Sequence, residues 1–170
     1  MRRVFAMVGS ALFLLLVPGF VAGLAPWWIS RWRFEGSGIG WLPLRVMGGL
    51  LIAAGIPVLV DSFARFALQG LGTPAPVFPT RHLVITGLYR FVRNPMYVAV
   101  VSVIIGQALL LGNVRVLRYG ALVGLGFHLF VVAYEEPTLR STFGQEYERY
   151  CAAVPRWIPR LSPWRGVAGV

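Results

Sequence analysis

Four long apolar stretches of the sequence contain no Asp, Glu, Lys or Arg, and this pattern constrains the fold more than any other feature. They cover residues 4–30, 46–60, 94–114 and 119–134. The first and third reach the ~20 residues that a helix needs to cross the hydrocarbon of a bilayer. The other two would be only roughly 22–24 Å long as helices. We therefore expect them to extend into flanking residues, with residues 41–44 lengthening the second.

The composition agrees with a membrane protein. Hydrophobic residues make up 57% of the 170 residues and charged residues only 13%, which is unlike an ordinary soluble domain. The first stretch continues past the length of a signal-peptide core to Trp27 and Trp28, which are typical of a membrane interface. We expect it to stay in place as an anchor. The sequence predicts an all-α integral membrane protein with about four transmembrane helices.

The basic residues indicate an orientation. All 16 are arginine, and with an even number of spans most of them fall on the side that holds the termini and the middle loop. The positive-inside rule then places both termini and that loop in the cytoplasm. The net charge of +10 follows from this asymmetry and favours anionic membrane lipids as partners. We expect no nucleic-acid partner, because no soluble domain carries the charge.

The sequence offers no sign of a metal site. Cys151 is the single cysteine, which excludes an internal disulfide and a cysteine-rich metal centre. His82 and His128 have no partner at the spacing of metal ligands. The alternating glycines of residues 36–40 follow no strand, so they form a flexible turn and not a dinucleotide-binding fingerprint.

Polar residues gather before the third uncharged stretch. Residues 87–97 contain two arginines that precede Asn94 and Pro95. Asparagine before proline predicts a helix N-cap with proline at the first helical position. The free amides of that first turn, assisted by Arg93, would suit a carboxylate or a phosphate. Contact of the arginines with lipid headgroups is the simpler alternative.

A second polar cluster follows the fourth stretch. Residues 112–116 leave room only for a tight hairpin between the third and fourth helices, which brings Glu135 and Glu136 beside the Asn94 cluster. Successive residues on a helix point about 100° apart, so at most one glutamate points squarely into a shared site. His128 lies two turns before Glu135 on the same face, as either a packing hydrogen-bonder or a reactive group.

Two regions outside the predicted spans have distinctive sequences, one rich in proline and one amphipathic. Residues 70–80 contain three prolines and cannot be helical, so they form either a stiff linker or a lid. After Pro137 the chain is amphipathic, and Gly144 divides it into two short helices on the cytoplasmic leaflet. The apolar face of these helices consists of Leu139, Phe143, Tyr147 and Tyr150.

An ordered set of motifs runs through residues 70–160. It reads Leu83-Val84, Gly87-x-Tyr89, Arg93-Asn94-Pro95-x-Tyr97, Glu135-Glu136-x-x-Leu139, Phe143-Gly144-x-x-Tyr147-x-x-Tyr150 and Val154-Pro155. In this the chain resembles the isoprenylcysteine carboxyl methyltransferase and phospholipid methyltransferase superfamily, including its bacterial members. The resemblance implies a bacterial inner-membrane enzyme with an S-adenosylmethionine site in its membrane core. The residues that it places at the cofactor are Arg81, His82, Leu83, Val84, Tyr89, Asn94, Pro95, Met96, Tyr97 and Glu135.

Two positions depart from the prenylcysteine enzymes. Asn94 stands where they have histidine, and Val131-Val132 stands where they have an arginine that contacts substrate. The acceptor therefore stays open among lipophilic carboxylates, thiols and phospholipid amines. We expect direct methyl transfer to an acceptor that enters sideways from the bilayer along the outer part of the third helix, near Val100. Glu136, Arg93 and His128 are the candidates for positioning or deprotonating it.

These expectations divide the chain into three parts: residues 1–69 with the first two helices, residues 70–160 as the methyltransferase core, and residues 161–170 as a tail. Two other functions remain open from the sequence. One is an NADPH-dependent membrane reductase, since membrane sterol reductases resemble this superfamily in their last helices. The other is a small transport or assembly protein in which the glutamates and His128 relay protons.

Overall fold

The computed structural model describes residues 16–35, 41–65 and 83–166, and within these ranges the regular secondary structure is helical. The loop of residues 70–80, with Arg81 and His82, lies outside the described residues. A 3₁₀ turn at Gly87–Arg90 precedes the central part of the fold. The five helices described are α1 (Leu16–Ser30), α2 (Leu42–Arg65), α3 (Pro95–Leu111), α4 (Val114–Phe143) and α5 (Gln145–Ala153).

The all-helical prediction is confirmed, and two of the four predicted spans meet the length that a membrane requires. Helices α2 and α4 have 24 and 30 residues and are apolar enough to cross a bilayer. Both arise from the stretches that looked too short, because each helix incorporates the flanking residues. Helix α3 has 17 residues and is shorter than its uncharged stretch, since Gly112 adopts a left-handed conformation (φ 68°) that ends it.

Helix α3 is the centre of the bundle. Nine of its 17 residues are buried. By contrast, only 22% and 17% of the residues in the most apolar segments of α2 and α4 are buried. Apolar side chains such as Leu50 (65% exposed) and Leu122 (68% exposed) point away from the protein. Such wide apolar surfaces suit contact with lipid. The core cluster consists of Ala22, Val100, Val103, Ile104, Ala108 and Val116.

Helices α2 and α3 meet along a line of glycines, which we call the glycine seam: Gly48, Gly55 and Gly106. A Cβ atom placed on Gly48 would lie 2.5 Å from the carbonyl oxygen of Gly106, and one on Gly106 would lie 2.7 Å from the carbonyl oxygen of Gly48. At Gly55 the added atom would lie 2.8 Å from a methyl of Val103. Small residues allow this backbone approach, which is how helices gain packing energy in lipid.

The turn between α3 and α4 is the predicted tight hairpin. Asn113 caps α4, because its side-chain oxygen accepts a hydrogen bond from the amide of Val116 at 3.0 Å. Its Nδ2 donates to Oε1 of Glu35 at 2.7 Å. The hairpin therefore returns the chain across the bundle, and the end of α4 lies beside the start of α3.

The C-terminal region follows the predicted pattern in part, because a break occurs at Gly144 but residues 136–143 continue α4 and do not form a separate short helix. Gly144 has a positive φ of 52° and separates α4 from α5. Their shared apolar face packs against residues of the same chain, where Leu83 and Ile85 meet Tyr147 and Tyr150. Burial raises the pKa of Tyr150, whose hydroxyl donates to the carbonyl of Tyr89 at 2.7 Å. These contacts fix the chain that leads into α3.

Candidate active site

The chain after α5 crosses the start of α3, and we call residues 154–164 the strap. Its backbone is bonded to the segment that precedes the helix, so the two run together. The bonds join Arg93 N to Pro155 O (2.9 Å), Arg160 N to Phe91 O (3.0 Å) and Trp164 N to Arg90 O (2.9 Å). The strap thereby brings its own side chains to the end of the bundle where α3 begins and α4 leaves.

Asn94 occupies the N-cap position of α3, followed by Pro95 at the first helical position, as the sequence predicts. The predicted capping interaction is wrong, because the side chain makes no hydrogen bond to the first turn. It lies under the strap, 8% exposed, and its Nδ2 donates to the carbonyl of Arg156 at 3.2 Å. The residue ties the strap to the helix.

Glu136 is 4% exposed and lies between two arginines. Nε and Nη2 of Arg156 donate to its two oxygens at 2.6 and 2.9 Å, and Nη1 of Arg93 donates at 3.1 Å. The hydrogen bond to Glu136 raises the pKa of Arg156, against the opposing effect of burial. A buried carboxylate is tolerated when it is paired in this way. We call Arg93, Asn94, Glu136 and Arg156 the polar collar.

Arg93 has two further features. Its Nη1 also lies 2.8 Å from the sulfur of Cys151. Its Nε is buried and has no hydrogen-bond partner among the described residues. A buried donor of this kind is costly unless a partner fills it, so the guanidinium retains the capacity to bind one more acceptor.

Helix α4 widens into a π-turn at Val131–Glu135. Such single turns carry an extra residue, change the direction of the side chains that follow, and are frequent at functional sites. Here Glu135 accepts a hydrogen bond from the hydroxyl of Tyr97 at 2.8 Å. Glu136 accepts one from Arg93, which precedes Tyr97 by four residues. Each glutamate therefore has its own partner beside α3, in keeping with the expectation that only one points into any single site.

An apolar cleft of about 310 Å³ lies between α3 and α4. Tyr97 forms one end, with its ring centroid 4.7 Å from that of Phe127. At the mouth, Nε1 of Trp157 in the strap donates to Nδ1 of His128 at 3.2 Å. The remaining lining includes Val98, Val101, Ser102 and Gly124. Tyr97 thus joins this cleft to Glu135.

The other described candidate residues are buried or partly buried. Val84 and Tyr89 are 8% and 6% exposed, and Leu83 packs on the aromatic cluster of α5. Burial raises the pKa of Tyr89 well above its usual range, although a hydrogen bond with Ser62 lowers it. Pro95 and Met96 are buried in the first turn of α3. The structure therefore brings Arg93, Asn94, Tyr97, Glu135 and Glu136 together and places His128 at the cleft, while Leu83, Val84 and Tyr89 lie in the segment that precedes α3.

The reasoning from sequence did not identify Arg156 and Trp157 as site residues. A signal was present: the sequence has six acidic residues against sixteen arginines, so a buried carboxylate has many arginines available to pair with. The sequence did not indicate which one, because the pairing joins residues 20 positions apart across α5.

The comparisons with known proteins agree with this architecture. The profile of the phospholipid methyltransferase family matches residues 44–146. Over 81 residues the chain is 39% identical to a protein-S-isoprenylcysteine O-methyltransferase of Schizosaccharomyces pombe, a match that takes in 47% of this chain and 34% of that relative. No solved structure matches the chain at a significant level. Since the matched profile covers more than half of the chain and contains nearly all of α2, all of α3, and Glu135 and Glu136, the chain belongs to the phospholipid methyltransferase family.

Proposed function

We propose that this protein transfers a methyl group from S-adenosylmethionine to a nucleophile on a lipophilic membrane substrate. Family membership and the 39% identity to a prenylcysteine O-methyltransferase support the reaction class. The observation that carries the proposal is the position of Tyr97, which contacts Glu135 on one side and lines the apolar cleft on the other. A polar donor site and an apolar acceptor site would meet at this residue.

The residues present fit the proposed methyl donor. Its carboxylate requires a hydrogen-bond donor, and the buried Nε of Arg93 has no acceptor among the described residues. Its ribose hydroxyls and amino group require an acceptor, which Glu135 supplies. We assign Tyr89 and the first turn of α3 to the wall of this site. We add Arg81 to Val84, which the family resemblance places at the cofactor. When bound, the cofactor supplies an electrophilic methyl group.

The protein's part in such a displacement is to align the reactants and to exclude water. The cleft between α3 and α4 would admit the acceptor from the bilayer. Val131 and Val132, which stand where the prenylcysteine enzymes carry an arginine, offer no charge to a carboxylate, and Val131 is 1% exposed. The acceptor class therefore remains a lipophilic carboxylate, thiol or phospholipid amine, and His128 and Ser102 are polar groups of the lining that can reach it.

The three candidate catalytic residues divide into two roles. Glu136 has both oxygens engaged by arginines, so we assign it, with Nη1 of Arg93, to holding the ends of α3 and α4 in place, while Nε of Arg93 serves the carboxylate of the cofactor. His128 accepts from Trp157 through Nδ1, which in the neutral ring leaves the proton on Nε2. In that form His128 donates to the acceptor and orients it.

We place the protein in the inner membrane of a bacterium, with both termini and the polar collar in the cytoplasm. The arginine asymmetry of the sequence supports this orientation. Single cysteines introduced at positions 82 and 37 in a Cys151→Ser background test it by membrane-impermeant labelling. We expect position 82 to react from the cytoplasm and position 37 from outside, and labelling of both from one side would mean that α2, the helix between them, does not cross the membrane.

Binding of S-adenosylhomocysteine to the purified protein tests the reaction class. We expect calorimetric binding in the micromolar range or tighter, and little or none of NADPH. Glu135→Ala should weaken it by ~1.5–3 kcal/mol, the value of a hydrogen bond to a charged group. Glu148→Ala, which removes a carboxylate that is paired at the surface (58% exposed), is the matched control. No binding by the parent protein would eliminate the methyltransferase assignment.

Filling the cleft tests the access route for the acceptor. Val101 lines it, so Val101→Trp should abolish turnover while leaving the affinity for S-adenosylhomocysteine within a few-fold. Val100, which the sequence suggested for this purpose, is wrong: it is 2% exposed and belongs to the core cluster. Loss of cofactor affinity in a folded Val101→Trp protein would contradict two separate access routes.

A further inference from the structure

A second cleft lies beside the end of the strap, and its lining does not include Tyr97, Glu135 or Glu136. It has a volume of about 810 Å³, and it is bounded by the chain before α3, by α5 and by the end of the strap. Its lining combines charged, polar and aromatic groups: Thr86, Arg90, Gln145, Glu146, Arg149 and Trp164, with Arg165 at its edge.

The charges of this cleft are not balanced. Arg90, Arg149 and Arg165 line it together with one carboxylate, Glu146. None of the three arginines forms an ion pair within residues 16–35, 41–65 and 83–166. The cleft therefore carries an excess of positive charge.

No other side-chain carboxylate of the protein is available to balance the positive charge of the cleft. The sequence contains six acidic residues, and all of them lie in the described ranges. Five are already engaged elsewhere, and the sixth is Glu146 itself. The engaged ones are Glu35 with Asn113, Asp61 with Arg65, Glu135 with Tyr97, Glu136 with Arg93 and Arg156, and Glu148 with Arg140.

This charge also separates the cleft from the methyl-donor site. A sulfonium cofactor carries positive charge at its reacting centre, so an arginine-rich cleft disfavours it. Guanidinium groups match the geometry of phosphate, to which they donate in pairs. The chemistry of the lining therefore suits a phosphate-bearing anion.

The strap indicates where that anion comes from. Its side chains Ile158 and Leu161 are 78% and 103% exposed, which suits insertion among acyl chains next to a membrane surface. Trp164, on the same segment, lies against Tyr150 with ring centroids 5.7 Å apart and occupies the kind of position that tryptophan takes at the headgroup level. The cleft would then open at the depth of the lipid phosphates.

We propose that the cleft of Arg90, Arg149 and Arg165 is a binding site for the headgroup of an anionic phospholipid, separate from the site of methyl transfer. Its size accommodates a phosphodiester with its glycerol, and Thr86 and Gln145 provide neutral hydrogen-bond partners. Glu146 limits the affinity for the anion through repulsion.

The test uses the full-length protein in detergent and a phosphatidylglycerol with a fluorescent acyl chain, followed by anisotropy. We expect saturable binding of this lipid and much weaker binding of the matching phosphatidylcholine. Arg149→Gln with Arg165→Gln should weaken binding by roughly tenfold, since two charge contacts are lost. The matched control is Arg115→Gln with Arg118→Gln, which removes the same charge from exposed positions at the other end of α4.

Two further variants guard against a simple folding defect. Glu146→Gln should strengthen binding by roughly two- to fivefold, a gain that misfolding does not produce. Arg149→Lys, which keeps the charge but loses the paired donors, should weaken binding less than Arg149→Gln. Equal weakening in both double variants would overturn the proposal in favour of general charge attraction. Displacement of the labelled lipid by inorganic phosphate at similar concentration would overturn the lipid assignment in favour of a soluble phosphate.

Discussion

The glycine seam and the polar collar hold neighbouring parts of this protein together by opposite means. Along the seam, α2 and α3 approach until the Gly48 and Gly106 backbones leave no room for a side chain. In the collar, strap and helix ends are joined by charged hydrogen bonds from Arg93 and Arg156 to Glu136. The seam depends on glycines that lack a side chain, and the collar depends on particular charged side chains.

The difference follows from the surroundings of each region. Helices in lipid gain little from burying apolar surface, so close packing decides how they associate. At the membrane boundary, polar groups find water on one side and protein on the other, and directional bonds can select one arrangement. Substitutions should therefore act on the seam through volume and on the collar through charge, and three substitutions can break or sharpen this contrast.

The largest effect is expected in the collar. Glu136→Gln keeps the volume but removes the charge that Arg93 and Arg156 share. Breaking a buried pair costs about 3–5 kcal/mol, and because the Arg156 side chain is 31% exposed we expect about 3 kcal/mol. Unfolding in mixed micelles, followed by circular dichroism, measures it.

Glu148→Gln is the control for that experiment. It breaks the pair with Arg140, whose side chains are 50% and 58% exposed, and exposed pairs contribute about 0–1 kcal/mol. If the two glutamine variants lose the same stability, the collar is no more than a surface feature.

The seam should respond to a single methyl group. Gly48→Ala places a Cβ 2.5 Å from a backbone carbonyl that cannot move aside easily, and such overpacking costs about 1–3 kcal/mol. A Cβ placed on the adjacent Gly49 would have no neighbouring atom within 4 Å. Gly49→Ala should therefore change stability by less than about 0.5 kcal/mol. The same unfolding assay compares them. Equal losses at both positions would point to helix flexibility and not to close approach.

The smallest effect concerns Asn94. Asn94→Ala removes the part-buried hydrogen bond to the carbonyl of Arg156, and one neutral hydrogen bond contributes about 0.5–1.5 kcal/mol. Because the side chain does not cap α3, the helix content should be unchanged. Instead, protease cleavage within the strap should become faster. A measurable loss of helix from the circular dichroism spectrum would restore the capping interpretation.

The sequence was informative wherever a local rule applied. Uncharged stretches located the helices, Gly112 and Asn113 marked the hairpin, and Gly144 marked the break before α5. Helix lengths were less accurate, because charged residues such as Arg45, Arg115 and Arg140 continue α2 and α4 beyond the uncharged stretches. A charge at the membrane boundary ends a stretch in the sequence without ending the helix.

The site was predictable in part for the same reason. The motif residues Asn94, Tyr97, Glu135 and Glu136 do come together, but what each one contacts depends on groups far away in the chain. Val100 and Val101 are identical in type and adjacent in an uncharged stretch, yet one is core and the other lines the cleft. The π-turn after Phe130, which changes the direction of the side chains beyond it, has no signature in the residues themselves.

The strap also has a consequence for how the protein matures. A ribosome makes α1 to α4 before residues 154–164, so the helices can enter the bilayer while Arg156 and Trp157 are still to be synthesised. Until then Glu136 lacks its closest partner and His128 lacks the indole that holds it. The newly inserted bundle is therefore a precursor, and its last step of assembly is the docking of a short extended segment from the aqueous side.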